Sequence, residues 1–237
     1  MNNYHPETTR SFRDLGGVKL YQSLHSYYPP APNRRHLGAM IALDNLYYMP
    51  GNTESCTFPH QHIEVLNIVL AGTIVSKDNA GCTHVLTQDT IQLLSAGSGI
   101  ETTQQNSSFT DEAELLQIWF TPDRQSGAPY YQTIKSPAEK RFRQWELLVS
   151  PDGEKHSLVI KQQVWISRGT FEAEARHAYY KNNEDKAIYI FVLPGQAAAE
   201  GQILNCRDGL AISGKGPVTI SFKQLTDILL IELPVNQ

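Results

Sequence analysis

The sequence predicts an all-β protein, a sandwich or a barrel. Three observations lead there: short β-rich runs recur along the chain, turn residues bound them, and helix-period patterns are scarce. In order, the runs are "GAMIALDNLYYM" (38–49), "EVLNIVLAGTIVSKD" (64–78), "THVLTQDTIQLLS" (83–95), "LLQIWFTPD" (115–123), "LVIKQQVWISRGTFE" (158–172), "KAIYIFVLPG" (186–195), "GLAISG" (209–214), "PVTISF" (217–222) and "DILLIELPV" (227–235). Val, Ile, Tyr and Thr dominate them, because branched and aromatic side chains fit a pleated surface. Gly, Asn, Asp and Pro close them, and Pro122 ends the fourth. The polar, poorly alternating stretch "RQSGAPYYQTIKSPAEKRFRQWELLVSPDGE" reads as a connection between domains, with a short helix near Ala138 to Trp145.

At 237 residues the chain can bury a sizeable core in one large or two small domains. Its composition, 41% apolar and 19% charged, is that of a folding sequence rather than a disordered one. A net charge of −4 and a pI near 6.1 exclude the electrostatic footprint expected for nucleic acid or an anionic membrane. Lys140, Arg141 and Arg143 form a basic run too short to change that, and read as a solvated face. No apolar stretch reaches the roughly 20 residues that span a bilayer, and the start "MNNYHPETTRSFRD" lacks a secretion signal. The expected location is cytoplasmic. Cys56, Cys82 and Cys206 have no C-x-x-C spacing and are expected as reduced thiols.

The halves of the chain echo each other. "IVLAGTIVSKDNAGCTHVLTQDTIQLLS" and "FVLPGQAAAEGQILNCRDGLAISG" both run from V-L-x-G through a hairpin to an Asp and a further apolar run. A duplicated unit explains this, with a shorter second hairpin. These segments, with the turn "LLSAGSGI" after the first, resemble the pirin-like bicupins, and the second half through "DGLAISGKGPVTISFKQLTDILLIELPV" resembles that family's second barrel. "LVIKQQVWISRGTFEAEA" is similar to the metal-free YhaK-type branch. The resemblance implies two antiparallel jelly-roll barrels packed face to face. The expected division is residues 1–125 for the N-terminal barrel, 126–145 for the connection and 146–237 for the C-terminal barrel.

The chemistry turns on "FPHQHIEVLNIVLAG" (58–72). If it is one strand, His60, His62 and Glu64 share a face at i, i+2 and i+4, and all three are transition-metal ligand types. The resemblance implies four ligand positions, an H-x-H pair and then a His and a Glu after the S-A-G-x-G-I turn. They fall here on Phe58, His60, Thr102 and Gln104, so one ligand of four survives. The expected cofactor is none, and these positions are expected to line a pocket for a small molecule or an anion. The competing reading slips the pair by two residues, makes His60 and His62 the ligands with Glu64 or Glu101 as the carboxylate for iron or another divalent transition metal, and makes the protein a quercetinase-like dioxygenase. Parity permits that slip, but it displaces a ligand by about 6 to 7 Å along the strand.

Elsewhere His177 reads as a surface or turn residue, and no nucleophile elbow, P-loop or dinucleotide fingerprint occurs. Cys82, in the hairpin tip "DNAGCTH", is the redox candidate, since an exposed thiol can cycle through sulfenic acid. Cys56 and Cys206 read as core or turn residues. The expected function is therefore binding or redox- and stress-related regulation rather than oxygen chemistry, with room for a protein partner.

Overall fold

The computed structural model describes residues 2–25, 36–51, 56–124 and 127–234. They form two compact units. The first strand, β1 (Asn2–His5), belongs to the second of them.

The N-terminal unit spans residues 11–135 with 160–162. Its strands are β2 (Ser11–Asp14), β3 (Val18–His25), β4 (Met40–Tyr48), β5 (Cys56–His60), β6 (Glu64–Ala71), β7 (Thr73–Asp78), β8 (Thr83–Thr87), β9 (Thr90–Ser95), β10 (Ile100–Asn106), β11 (Ala113–Phe120) and β12 (Tyr130–Lys135). They make a seven-stranded sheet, β12-β9-β6-β11-β4-β3-β2, and a four-stranded sheet, β5-β10-β7-β8, all antiparallel. Two sheets folded over one core are a jelly roll. β6, "EVLNIVLA", is buried along its first six residues, which is why it reads as a continuous apolar run rather than an alternating one. Gly72 turns from β6 into β7 at φ +72, and a Cβ there would lie 2.8 Å from that of Ala113, so the turn has room only for glycine.

The C-terminal unit takes residues 1–10, 136–159 and 163–237. After a one-turn helix, α1 (Ala138–Arg141), come β13 (Trp145–Ser150), β14 (Leu158–Val159), β15 (Trp165–Phe171), β16 (Arg176–Tyr179), β17 (Ala187–Val192), β18 (Ala197–Ala199), β19 (Gln202–Leu204), β20 (Gly209–Ile212), β21 (Val218–Phe222) and β22 (Thr226–Leu233). The sheets run β1-β20-β17-β22-β15-β13-β14 and β16-β21-β18-β19. The five central strands of the large sheet, and all four of the small one, repeat the order of the N-terminal unit, as duplication requires; the edges differ, since β14 follows β13 and pairs with it in parallel where β2 precedes β3 and pairs antiparallel.

The sequence and the structure differ at three places. The helix expected over 138–145 stops at Arg141, and Trp145 already opens β13. Within the expected connection, Tyr130–Lys135 is the edge strand β12, paired with β9. Its alternation is weak because an edge strand of mostly half-buried residues needs no apolar face. The first ten residues join the C-terminal unit, where β1 pairs with β20, so the units divide the chain differently from the expected 1–125, 126–145 and 146–237. Residues 125 and 126, at the expected boundary, lie outside the described residues. Among the described residues, no helix is long and apolar enough to cross a membrane.

Candidate functional site

Four of the inward positions in the N-terminal barrel are the ones that sequence comparison of motifs had singled out. β5 and β10 pair with Thr102 opposite Phe58 and Ile100 opposite His60, so Phe58, His60, Thr102 and Gln104 all face the interior. β10 shows why: its burial alternates strictly, with Ile100, Thr102, Gln104 and Asn106 buried and Glu101 exposed. His60 is 3% exposed. Its Nε2 is 3.2 Å from Thr102 Oγ1, its ring stands edge-on to Trp119 at 5.2 Å, and Phe58 lies parallel to it at 6.3 Å. Removal from water lowers its pKa from 6.5 to about 4, so the imidazole is neutral at pH 7. Gln104 accepts the Tyr48 hydroxyl at 2.8 Å.

The slipped set does not assemble. The run 58–72 is not one strand: β5 ends at His60 and β6 begins at Glu64. His62, between them, is exposed and has φ 54, a left-handed turn conformation that cancels the i, i+2, i+4 argument. Glu64 alternates with Val65 and Asn67, which face the interior, and so lies on the opposite face of β6. There it accepts Ser95 Oγ at 2.8 Å. Burial raises its carboxyl above the usual carboxylate range, with Ser95 and Lys161 opposing. Glu101 faces outward. Among the described residues, no group of three or more His, Cys, Asp or Glu is arranged to hold an ion.

Nor do the four inward residues fit a transition metal as they stand. Phe58 has no donor atom. Gln104's carbonyl is engaged by Tyr48, and the His60 Nε2 by Thr102. What remains is one imidazole where first-row ions want several imidazole, thiolate or carboxylate donors.

An open cavity of about 900 Å³ meets this region, lined in part by Arg13, Leu20, Asp44, Phe58, His60, Ile63 and Trp119. Asp44 is one member of a row that local sequence reasoning missed. Gln22 on β3, Asp44 on β4, Gln117 on β11, Asn67 on β6 and Gln92 on β9 are register partners in turn, crossing five neighbouring strands. None is more than 3% exposed. They separate two apolar layers, Leu20, Leu46, Val69 and Leu115 on one side and Ala42, Val65, Leu94 and Trp119 on the other. The signal was present only as a polar residue at an inward position of each strand.

Cys82 lies exposed in the β7–β8 turn, as its sequence position suggested. The charged group bound to that turn is a carboxylate, Asp78, which accepts the Cys82 amide at 2.8 Å and the Tyr131 hydroxyl at 3.0 Å. Cys206 is exposed, and the Cys56 side chain lies outside the described residues. His177 is on strand β16, not in a turn, with its ring 4.2 Å from Phe171.

Two jelly rolls of matching strand order define the protein as a bicupin. Residues 23–120 match the family model described as Pirin, and 147–233 the one described as Quercetinase C-terminal cupin domain. The chain belongs to the pirin-like bicupin family. It is 28% identical over 178 residues to "Quercetin 2,3-dioxygenase" of Escherichia coli (strain K12), covering 75% of each chain. Against "Pirin-like protein YhaK" of the same organism it is 26% identical over 187 residues, 76% of each. Among solved structures, YhhW from Escherichia coli superposes with a TM-score of 0.91 at 25% identity, covering 99% of this chain and 98% of that one. The same bacterial pirin in complex with nickel(II) gives 0.89, with 99% of each covered.

Proposed function

We propose that this protein is a cytoplasmic, metal-independent binding bicupin whose N-terminal barrel takes a small molecule, in a regulatory rather than oxygenase role. The observation that carries the reading is the commitment of the inward positions to one another. Tyr48 holds Gln104, Thr102 holds His60, and Phe58 fills the fourth place. The cavity beside them, with aromatic walls and a few polar groups, has the make-up of a small-molecule site.

The second reading is a metal-dependent, quercetinase-like dioxygenase. It draws on the relative named quercetin 2,3-dioxygenase and on the nickel(II) complex of YhhW. Flavonol cleavage would require an ion that organises substrate and oxygen, held here by donors other than the usual set.

Elemental analysis of protein purified without chelators separates the two. The binding reading expects substoichiometric iron, nickel, copper and zinc, and a melting temperature unmoved by EDTA. An ion bound only by the folded state at 1,000 times its Kd would contribute about 4 kcal/mol, and its loss would lower Tm by several degrees. Stoichiometric metal, with quercetin turnover that disappears in a His60→Ala, His62→Ala double variant, would overturn it.

A further inference from the structure

His60 lines the N-terminal cavity with a hydrogen-bonding capacity that the protein leaves unused. Other polar side chains of the lining are engaged. Trp119 Nε1 donates to Gln117 Oε1 at 2.7 Å, Gln61 Nε2 donates to the Ser98 carbonyl at 3.2 Å, and Thr57 Oγ1 is 3.2 Å from Thr103 Oγ1. Arg13 and Asp44 also have interactions of their own. The His60 ring, 3% exposed, bonds only through Nε2, to Thr102 Oγ1 on β10. Its Nδ1 is buried with no hydrogen-bond partner among the described residues. The two nitrogens diverge across the ring, so with Nε2 turned to Thr102 the Nδ1 is directed elsewhere.

Thr102 decides which capacity is left over. Its hydroxyl is buried, and His60 Nε2 is its one side-chain partner among the described residues. A neutral imidazole carries one N–H and one bare nitrogen. With the proton on Nε2, the Thr102 proton would have no acceptor and Nδ1 no donor, so two buried groups would go unmet. With the proton on Nδ1, Thr102 donates to Nε2 and a single donor remains. Every unmet buried group costs free energy, and the hydrogen-bond network therefore selects the Nδ1–H tautomer. Phe58 lies parallel to the ring at 6.3 Å and Trp119 edge-on at 5.2 Å, so the donor is held in place before any ligand arrives.

We propose that the cavity takes an uncharged carbonyl compound with an apolar body, a ketone or an ester, whose oxygen accepts the His60 Nδ1–H; the proposal rests on the small-molecule reading above. A carbonyl oxygen only accepts, which is what a lone donor requires. A hydroxyl could accept the same bond but would bring a second proton that His60 cannot take. An ammonium would set donor against donor. A carboxylate would give up its hydration to a neutral imidazole, in a cavity that Glu101 also lines. Phe58, Ile63, Ile100 and Trp119 supply apolar wall for the body of the ligand.

The test uses the full chain, with cyclohexanone, cyclohexanol and cyclohexanecarboxylate as probes of similar shape. Saturation-transfer NMR should show saturable binding of cyclohexanone, about tenfold tighter than that of the alcohol or the acid, the worth of roughly one hydrogen bond. In His60→Phe, which keeps an aromatic ring and removes the donor, the ketone should fall to the level of the alcohol. Imidazole nitrogen NMR of the wild-type protein makes the test independent of any variant: the His60 proton should sit on Nδ1 without ligand, and cyclohexanone should shift that nitrogen. Stoichiometric metal with quercetin turnover would remove the small-molecule reading itself. Alcohol or acid bound as tightly as the ketone would overturn the carbonyl class while leaving that reading intact, and a lack of cyclohexanone binding would do the same. A proton on Nε2, or ketone binding that leaves Nδ1 unshifted and survives His60→Phe, would overturn the assignment of the site.

Discussion

His60 should make this protein acid-sensitive by a calculable amount. Folded, its pKa is about 4; unfolded, it returns to 6.5. Between those values the unfolded chain binds a proton that the folded chain refuses, so stability is full above pH 6.5 and falls as the pH drops toward 4. At 1.36 kcal/mol per unit of separation, the His60 share of the loss between pH 7 and pH 4 is about 3 kcal/mol. The assay is urea unfolding of wild type and His60→Gln at both pH values. Other groups, among them Glu64 with its raised carboxyl, titrate in both proteins and cancel in the comparison. The wild type should lose about 3 kcal/mol more than the variant over that interval. Parallel losses, or a His60 imidazole resonance that titrates near 6.5, would show that the ring is solvated and the barrel more open than described.

Tyr48→Phe should cost about 1 to 3 kcal/mol in urea unfolding, because Gln104 Oε1 is left buried without its donor. An unchanged stability would mean that another group takes over, and that position 104 is less committed than it looks. Gly72→Ala should lower Tm by several degrees, since the new Cβ meets Ala113 at 2.8 Å and the φ of +72 disfavours any L side chain. Gln117→Met should cost about 2 to 6 kcal/mol, twice the price of one orphaned buried group, because it strips partners from both Trp119 and Asn67. Gln92→Met removes a donor that has no acceptor among the described residues and breaks only the 3.4 Å bond, so its cost should be within about 1 kcal/mol of zero. Equal effects at positions 117 and 92 would show that Gln117 does not hold both Trp119 and Asn67.

The strands were legible because most of them bury apolar residues at the expected period, and the duplication because hairpins and their turn residues recur. β12 was not, since an edge strand carries little pattern. β1 was not, because a four-residue polar strand is defined by its partner, β20, far away in sequence. At the site, the set Phe58, His60, Thr102 and Gln104 followed from matching a motif; the register of β5 and β10 puts all four on one face, and of them Phe58 and His60 line the cavity. His62 and Glu64 misled because two strands and a tight turn look like one strand when every residue has some β propensity. The left-handed turn falls on a histidine rather than a glycine, and left no mark in the sequence. Polar side chains at 22, 44, 67, 92 and 117 were each visible, but their alignment depends on four strand registers that no local window contains.

The two barrels share a strand order and differ in what fills them, and that difference locates function. In the C-terminal barrel a row across β15, β22, β17 and β20 reads Ser167, Leu230, Ile190 and Leu210. Its interior is a single apolar cluster that includes Phe171, Ile188, Val192, Phe222 and Ile228. At one end Glu232 accepts the backbone amides of Asn182 and Asn183 at 2.9 and 2.7 Å and so ties down a loop. That is the composition of a barrel kept for stability. Across β3, β4, β11, β6 and β9 of the N-terminal barrel the row is Gln22, Asp44, Gln117, Asn67 and Gln92, which splits its core in two. Buried amides cost about 1 to 3 kcal/mol wherever a partner is missing, and a row that is apolar but for one serine was available to the same fold, as the other barrel demonstrates. A duplicated protein that carries the costly interior in one copy only has a use for it there, and the cavity opens onto that copy.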